Sequence, residues 1–156
     1  MGDNQPLTLR VAVAADLEGI ARLERQLFST PWSLAQLQGS LGGDRWLWVA
    51  VQHDMLVGYL VASQGGGVAD LLTIGVDPSR QGEGVGRRLL AQLFARLQSE
   101  QAEELFLEVR ETNAAAQALY LRCGFESVGV RKNYYTDGPV PEHAIVMRST
   151  LRQAKA

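Results

Sequence analysis

The sequence predicts a mixed α/β protein in which strands and helices surround one sheet. Two short apolar runs, Leu71–Val76 and Leu105–Val109, are typical of strands buried on both faces. A helix is predicted after the first run, because apolar residues recur every four positions over residues 85–97. An alanine-rich helix, from about Asn113 to Cys123, follows the second run. Because strands and helices alternate in this order, the predicted class is α/β in the broad sense of a mixed α+β fold.

The first third of the chain adds a strand, two helices and a hairpin. Leu7–Val13 predicts a strand, and Asp16 is placed to cap the helix that follows it. Thr30-Pro31-Trp32-Ser33 breaks that helix, and its serine is expected to cap a second, shorter one. Trp46–Val51 and Leu56–Ala62 are apolar runs around a polar turn and predict a hairpin.

The C-terminal part completes the sheet. Gly124 is expected to adopt the left-handed conformation that ends a helix. Two further strands are predicted, near Glu126–Tyr134 and His143–Thr150. These elements leave no linker or repeat, so we predict a single domain over residues 1–156.

Length and composition narrow the function classes. The 156 residues are 46% hydrophobic, which is enough for an ordinary core without metals or disulfides. Lys and Arg number 15 against 17 Asp and Glu, and this balance argues against general nucleic-acid binding. Two distant histidines and one cysteine give no zinc-ligand spacing, so no metal is expected.

The same residues predict where the protein works. The lone Cys123 has no partner for an internal disulfide, which fits a reducing compartment. Residues 1–6 contain no apolar run of a signal peptide, and no stretch approaches the length of a membrane span. We therefore expect a soluble, cytoplasmic protein without a membrane partner.

A glycine-rich turn, Arg80-Gln81-Gly82-Glu83-Gly84-Val85-Gly86-Arg87, lies between a strand and the strong helix. Its glycines let the backbone approach a ligand, and the helix start adds free N–H groups for a phosphate or pyrophosphate. A P-loop is excluded, because Lys and Ser or Thr do not follow the last glycine. A dinucleotide-binding turn is disfavoured, because its third glycine is missing in both registers, although Glu103 lies about twenty residues on. A tight turn with a solvated basic helix start stays an equal alternative.

Glu108 interrupts the apolar run Leu105–Val109. An ionised carboxylate is costly to bury without partners, so this one is paired, at a strand end, or functional. A functional carboxylate here would act as a base that removes a proton from an attacking amine. The alternative is a structural salt bridge from Glu108 to Arg110 or Arg131.

Tyr120 and Asn113 belong to the alanine-rich helix and also have two interpretations. Tyr120 either packs in the core with its hydroxyl at a wet edge or donates a proton to a leaving group. A phenol, with an ordinary pKa of about 10, is protonated at neutral pH and can therefore donate. Asn113 is placed to cap the helix, to bond a ligand, or to do both.

Several short motifs, taken together, point to one enzyme family. Gln81-x-x-Gly84-x-Gly86 is similar to the acetyl-CoA signature of the GNAT acetyltransferases. The resemblance narrows to the RimI-type ribosomal-protein-alanine acetyltransferases and spans about Leu7 to Met147. The segments that narrow it are Thr30-Pro31-Trp32-Ser33, Leu107-Glu108-Val109-Arg110, Asn113-Ala114-Ala115-Ala116, Leu119-Tyr120, Gly124-Phe125 and Asn133-Tyr134-Tyr135.

The resemblance implies a fold and a co-substrate. The fold is that of the GNAT acyl-CoA N-acyltransferases, one mixed and largely antiparallel sheet flanked by helices. The co-substrate is acetyl-CoA, whose thioester would lie on the strand before the turn and whose pyrophosphate would lie on the turn. Many members of the family have a basic residue in place of Gly82, so the resemblance implies that one phosphate contact is weakened or shifted here, unless Arg80 or Arg87 compensates. The residues implied to bind acetyl-CoA are Ile74, Gly75, Val76, Gly82, Glu83, Gly84, Val85, Gly86, Arg87 and Asn113.

The resemblance also assigns the chemistry. Glu108 is the implied base and Tyr120 the implied acid, while Trp32 and Tyr134 flank the substrate entrance, with core filling as the alternative for each. The implied acceptor is the N-terminal alanine of the eighteenth small-subunit ribosomal protein. About a tenth of an α-amine is already neutral at pH 7, so a modest base suffices. Two alternatives stay open: another acceptor, such as a lysine or a small-molecule amine, and a non-catalytic acyl-CoA-binding sensor.

Overall fold

The structure, a computed structural model, describes residues 6–151. Its strands are β1 (Thr8–Val11), β2 (Arg45–Gln52), β3 (Met55–Gly65), β4 (Val68–Val76), β5 (Glu104–Arg110), β6 (Glu126–Tyr135) and β7 (Glu142–Thr150). Its helices are α1 (Leu17–Leu27), α2 (Leu34–Gln38), α3 (Val85–Ser99) and α4 (Ala114–Arg122), with short 3-10 turns at Ala14–Asp16 and Pro78–Arg80.

Within residues 6–151, seven strands form one sheet in the order β1-β2-β3-β4-β5-β7-β6. The pairs β1–β2, β2–β3, β5–β7 and β6–β7 are antiparallel, and β4–β5 is parallel. The predicted class, a mixed and largely antiparallel sheet with flanking helices, is therefore confirmed.

The described chain divides into two compact units. The first comprises residues 6–63 and 72–91, and the second comprises residues 64–71 and 92–151. In the first unit the apolar stripe of α1 packs into a buried cluster formed by Leu17, Ile20, Leu23, Leu37, Leu47, Val49, Tyr59 and Val61. In the second unit alternate residues of β5 are buried, namely Leu105, Leu107 and Val109, and β7 adds the buried Ala144 and Met147. The single domain over residues 1–156 stays a prediction.

Local sequence signals set most helix ends correctly. The Ser33 hydroxyl accepts the Gln36 amide and so caps α2. Asn113 caps α4 by accepting the Ala116 amide at 3.1 Å. Gly124 has a φ of 98°, as the left-handed end of α4 requires.

Asp16 does not cap α1 in the predicted way. It occupies the N-cap position, but its side chain makes no capping hydrogen bond to α1. Its carboxylate accepts the Val13 amide at 2.8 Å and pairs with Arg10 at 2.8 Å. These partners hold the carboxylate against the 3-10 turn that precedes α1. The carboxylate therefore closes that turn and accepts no amide from the first turn of the helix.

The two central strands are less buried than predicted. Residues of β5 alternate between buried and half-buried, and within the predicted run of β4 only Leu71 and Gly75 are buried. The sequence did not reveal this alternation, because the half-buried face of β5 carries the apolar Phe106 as well as Glu108. The expectation of burial on both faces is wrong for β5, and its less buried face presents Glu108.

The part of the chain that the structure describes, residues 6–151, bears on membrane and metal binding. No helix there is both long enough and apolar enough to cross a membrane. In the same residues no group of three or more His, Cys, Asp or Glu side chains is placed to hold a metal ion.

Candidate active site

Glu108 lies in the second unit with its side chain 27% exposed. The Nε atom of Arg131, on β6, lies 2.5 Å from the Oε2 atom of Glu108. Of the two arginines considered from the sequence, Arg131 therefore pairs with Glu108. The arginine side chain is 59% exposed, and a pair so open to solvent contributes only about 0–1 kcal/mol to stability. The carboxylate has a charged partner and remains within reach of solvent.

Tyr134 joins this ion pair. Its hydroxyl is hydrogen-bonded to Glu108, and this bond, followed by burial, raises the pKa of Tyr134. The guanidinium carbon of Arg131 lies 5.4 Å from the centre of the tyrosine ring. The residue remains 45% exposed, so core filling does not account for its position. Two residues predicted for different roles, Glu108 and Tyr134, are thus in contact.

A local irregularity of β6 explains how Tyr134 reaches Glu108. The register between β6 and β7 shifts between Arg131 and Tyr135. Within that interval Asn133 has a φ of 52°, and its N–H donates to Nδ1 of His143 at 2.9 Å. Interruptions of a strand ladder redirect side chains. The imidazole of His143 therefore helps to hold this irregular part of β6.

Asp70 is a second carboxylate on the Glu108 face that the sequence reasoning missed. It lies opposite Phe106 in the parallel β4–β5 ladder. Because Phe106 and Glu108 are two residues apart on one strand, all three side chains face the same side. Burial, and then the charge of Glu108, raises the pKa of Asp70. The sequence did contain one sign of this site: Asp70 stands directly before the apolar run that begins at Leu71.

Tyr120 is buried in α4 with only 7% exposure, and its ring centre lies 5.7 Å from that of Phe125. Burial, followed by the charges of Tyr135 and Cys123, raises the pKa of Tyr120 to about 12. The hydroxyl therefore stays protonated at neutral pH, as a proton donor requires. The ring packing agrees equally with a core role, so the acid function stays a prediction. The capping role of Asn113 is observed, and its contact with CoA stays a prediction.

The loop between β6 and β7 is anchored to β5. Arg110 pairs with Asp137 at 2.7 Å and with Glu142 at 3.1 Å. Its guanidinium carbon also lies 4.1 Å from the ring centre of Tyr135. Glu142 accepts further hydrogen bonds from the amide and hydroxyl of Thr112. These contacts hold both ends of the loop that follows Tyr134.

The glycine turn lies in the first unit. Gly82 and Gly84 each have a φ of 86°, which glycine adopts without strain. A Cβ on either would meet no heavy atom within 4 Å, so backbone conformation, and not crowding by the chain itself, selects glycine. Val85 begins α3 with its side chain buried, so it can offer a ligand only its backbone. Gly86 and the exposed Arg87 follow in the first helical turn.

Side chains attach this turn to neighbouring segments of the first unit. Nε2 of Gln81 donates to the Val76 carbonyl at 3.3 Å, which links the turn to the end of β4. Arg80 lies 2.5 Å from Oε1 of Gln52 and 3.9 Å from Oε1 of Glu83. Of Arg80 and Arg87, the first is engaged in these contacts, so the exposed Arg87 is the better candidate to compensate for Gly82.

Glu24 is fully buried in the first unit and was missed from the sequence. Its Oε1 accepts the Trp32 amide at 2.8 Å, and its Oε2 accepts the hydroxyls of Tyr59 at 2.5 Å and Thr73 at 2.7 Å. The signal was present in the helical pattern. Glu24 lies four residues after Ile20, on the apolar stripe of α1, where a carboxylate is unexpected.

Trp32 is partly buried, as the core-filling alternative requires. Its side chain packs against the core of the first unit, and the Arg45 guanidinium carbon lies 5.7 Å from its ring centre. It lies between α1 and α2, where its backbone is held by Glu24. A role in acceptor binding stays a prediction.

Comparison with known proteins gives these residues a family context. The acetyltransferase (GNAT) family matches residues 17–125. A Mycobacterium tuberculosis protein named N-alpha-acetyltransferase RimI is 40% identical over 142 residues, which is 85% of this chain and 87% of that protein. A Haemophilus influenzae protein named ribosomal protein bS18-alanine N-acetyltransferase is 35% identical over 143 residues, which is 88% of this chain and 94% of that protein.

A solved structure shows the same fold. The ribosomal-protein-S18-alanine N-acetyltransferase of Escherichia coli superposes with a TM-score of 0.88 and is 31% identical. The match covers 94% of each chain. The predicted fold and the resemblance on which it rested are therefore both confirmed.

Proposed function

Because the chain belongs to the GNAT acetyltransferase family, we propose that it transfers the acetyl group of acetyl-CoA to the N-terminal alanine of ribosomal protein bS18. The observation that carries this proposal is the Glu108 site, a solvent-reachable carboxylate held by Arg131 and Tyr134. Similar proteins named for this reaction match over most of the chain. A ribosomal substrate also implies that the reaction takes place in the cytoplasm.

The glycine turn fits the phosphates of acetyl-CoA. Gly82 and Gly84 are exposed and in the left-handed region, and no side chain of the protein fills the space beside them. Backbone N–H groups at the start of α3 suit an anion, and Arg87 adds a positive charge. We assign the pyrophosphate to residues 82–87 and the thioester arm to Ile74, Gly75 and Val76, with Asn113 as a further contact.

Glu108 is assigned the role of base. An N-terminal amine must lose a proton before or as it attacks the thioester carbonyl, and a carboxylate that solvent can reach can accept it directly or through water. Arg131 and Tyr134 fix the orientation of the carboxylate, because one forms an ion pair with it and the other donates a hydrogen bond. The exposed part of Tyr134 then lies where an acceptor peptide would approach Glu108.

Tyr120 is assigned the role of acid. The departing thiolate needs a proton, and the Tyr120 hydroxyl is fully protonated at neutral pH because its pKa is about 12. An ordinary thiol has a pKa of about 8.5, so proton transfer from the phenol assists departure but is not essential for it. Direct transfer of this kind needs no nucleophilic side chain, which leaves Cys123 without an assigned chemical role.

Peptide acetylation tests the proposal. The wild-type protein is mixed with acetyl-CoA and short peptides that differ only in their first residue, with alanine, serine, methionine or an acetyl-blocked alanine first and an internal lysine in each. We expect release of one thiol per acetyl group and a mass increase confined to the α-amine of the alanine peptide. Acetylation of the internal lysine in the blocked peptide would replace the proposed acceptor with a side-chain amine. Binding of acetyl-CoA without transfer to any amine would favour a sensor.

The pH dependence separates the acceptors further. An α-amine has a pKa of about 8 and a lysine amine about 10.4, so the neutral fraction of lysine keeps rising over the range where that of the α-amine levels off. We expect transfer to the alanine peptide to level off above pH 8. A rate that continues to increase tenfold per pH unit through pH 9 would indicate a lysine acceptor.

A further inference from the structure

Glu24 has no role in the proposed chemistry, yet its carboxyl group is fully buried among the apolar side chains of the first unit. Burying such a group is unfavourable unless hydrogen bonds replace its water. Its three donors meet this requirement, and they come from three separate segments: Trp32 after α1, Tyr59 on β3 and Thr73 on β4. One carboxyl group therefore links all three segments.

The segment after α1 has the features of a binding surface. Phe28 and Leu34, on either side of Trp32, are exposed although both are large and apolar. The amide of Trp32 is the point at which this segment is fixed to Glu24. An anchored backbone that presents apolar side chains to solvent can receive part of a peptide with little loss of conformational entropy.

The other two donors connect Glu24 with the strand assigned to the thioester. Thr73 lies on β4 directly before Ile74. The Tyr59 ring fills the space beside Gly75 so closely that a Cβ there would collide with it. The hydrogen bond from Tyr59 to Glu24 therefore keeps the ring in place against the backbone of Gly75.

We propose that Glu24 is a positioning residue that holds the Trp32 segment in the conformation that receives the acceptor peptide and fixes it relative to residues 73–75. This inference rests on the proposed function, because it requires a peptide acceptor. Glu24 does not touch the reacting atoms. It acts through the Trp32 amide on one side and through Tyr59 and Thr73 on the other.

A triple variant isolates the hydrogen bond to Trp32. Glu24→Met/Tyr59→Phe/Thr73→Val replaces the carboxyl and both hydroxyls with apolar groups of similar size, and such replacements often preserve stability. Only the Trp32 amide then loses its partner. We expect the KM for the alanine peptide to rise roughly tenfold, since small displacements of substrate-positioning groups have effects of this order or larger. The Kd for acetyl-CoA should change less than the KM for the peptide, because the glycine turn is untouched and Tyr59→Phe keeps the ring beside Gly75.

Glu24→Gln is the matched control. Its amide oxygen still accepts the Trp32 N–H, and its amide nitrogen can donate to the two hydroxyls, which are able to rotate and accept. The KM for the peptide should therefore stay near that of the wild type. Hydrogen exchange of the Trp32 amide, followed by NMR without substrate, should be faster in the triple variant and unchanged in Glu24→Gln.

The outcomes separate this inference from the proposed function. A wild-type protein that acetylates no peptide removes the proposed function. A wild-type protein that is active, together with a folded triple variant of unchanged peptide KM, overturns the positioning role, because a purely structural residue lowers the folded fraction and not the affinity. If the triple variant does not fold, Glu24→Asp takes its place as the test. The shorter side chain of this variant withdraws from the Trp32 amide. An unchanged KM for the peptide in Glu24→Asp would therefore also overturn the proposal.

Discussion

Glu24 in the first unit and Glu108 in the second have the same carboxyl group in different surroundings. Glu24 is inaccessible to water and is bound by an amide and two hydroxyls. Glu108 is part-exposed and is bound by the guanidinium of Arg131 and the hydroxyl of Tyr134. The first carboxyl is enclosed by parts of the core, whereas the partners of the second are themselves exposed to solvent.

The difference indicates what each carboxyl can do. A group with no path to solvent cannot exchange a proton with a substrate and can only hold its neighbours in place. A group with an exposed face can accept a proton and return it to water in every cycle. We therefore expect loss of Glu108 to reduce turnover with little effect on stability, and loss of Glu24 to reduce stability or acceptor affinity.

The largest expected effect is that of Glu108→Gln. Turnover of the alanine peptide should decrease by about 10²- to 10⁴-fold, the usual contribution of a general base. The Kd for acetyl-CoA should stay within about twofold, because the proposed phosphate contacts lie elsewhere in the sequence. Initial rates and calorimetric titration with acetyl-CoA measure both quantities.

Arg131→Met is the control for that variant. It removes the same ion pair but leaves the carboxylate in place. If Glu108 serves only to form the salt bridge, the two variants should lose activity to the same extent. We expect Arg131→Met to retain most of the turnover, and equal losses would contradict the assignment of Glu108 as the base.

The second effect is on stability. Glu24→Ala leaves one buried and two half-buried donors without this acceptor and creates a cavity, so the free energy of unfolding should decrease by about 3 kcal/mol. Glu108→Ala should cost less than about 1 kcal/mol, because its ion pair is open to solvent. Urea unfolding measures the free energy of unfolding of both variants. Equal decreases in the two variants would show that the surroundings of Glu24 and Glu108 do not differ as described.

Tyr120→Phe should have a smaller effect on turnover than Glu108→Gln. Because a thiolate is already a fair leaving group near neutral pH, we expect a decrease of about tenfold. Phenylalanine keeps the ring contact with Phe125, so the unfolding midpoint should change little. A variant with the turnover of the wild type would leave Tyr120 with only its packing role.

The sequence predicted what depends on neighbouring residues and missed what depends on distant ones. The capping of α2 by Ser33 and of α4 by Asn113 involves residues three positions apart. The partners Tyr59 and Thr73 lie 35 and 49 residues from Glu24, so only the full fold reveals them. Glu108 was identified because it interrupts a short strand, whereas Glu24 lies in a helix where charged residues are common.

Asp70 was missed for a related reason, and it offers the smallest but most specific test of the Glu108 surroundings. Burial and the charge of Glu108 raise the pKa of Asp70 above its ordinary value of 3.8, so the folded protein binds this proton more tightly than the unfolded chain. The associated stability is present below that ordinary value and is lost as the pH rises through the raised pKa. Asp70→Asn does not titrate, so its stability should increase relative to that of the wild type as the pH rises through the raised pKa.

Urea midpoints of wild type and Asp70→Asn, from pH 7 down to the lowest pH at which both stay folded, measure this trend. The same two proteins are then compared in a Glu108→Gln background. This removes the charge of Glu108 as a cause of the raised pKa of Asp70 and leaves burial as the other cause. The advantage of asparagine should then shrink but not vanish. A difference that is independent of pH would mean that Asp70 is as well solvated in the folded protein as in the unfolded chain. An advantage unaffected by Glu108→Gln would mean that the two carboxylates do not interact, and Glu108 would then have to be regarded as a single carboxylate whose charge is compensated by Arg131 alone.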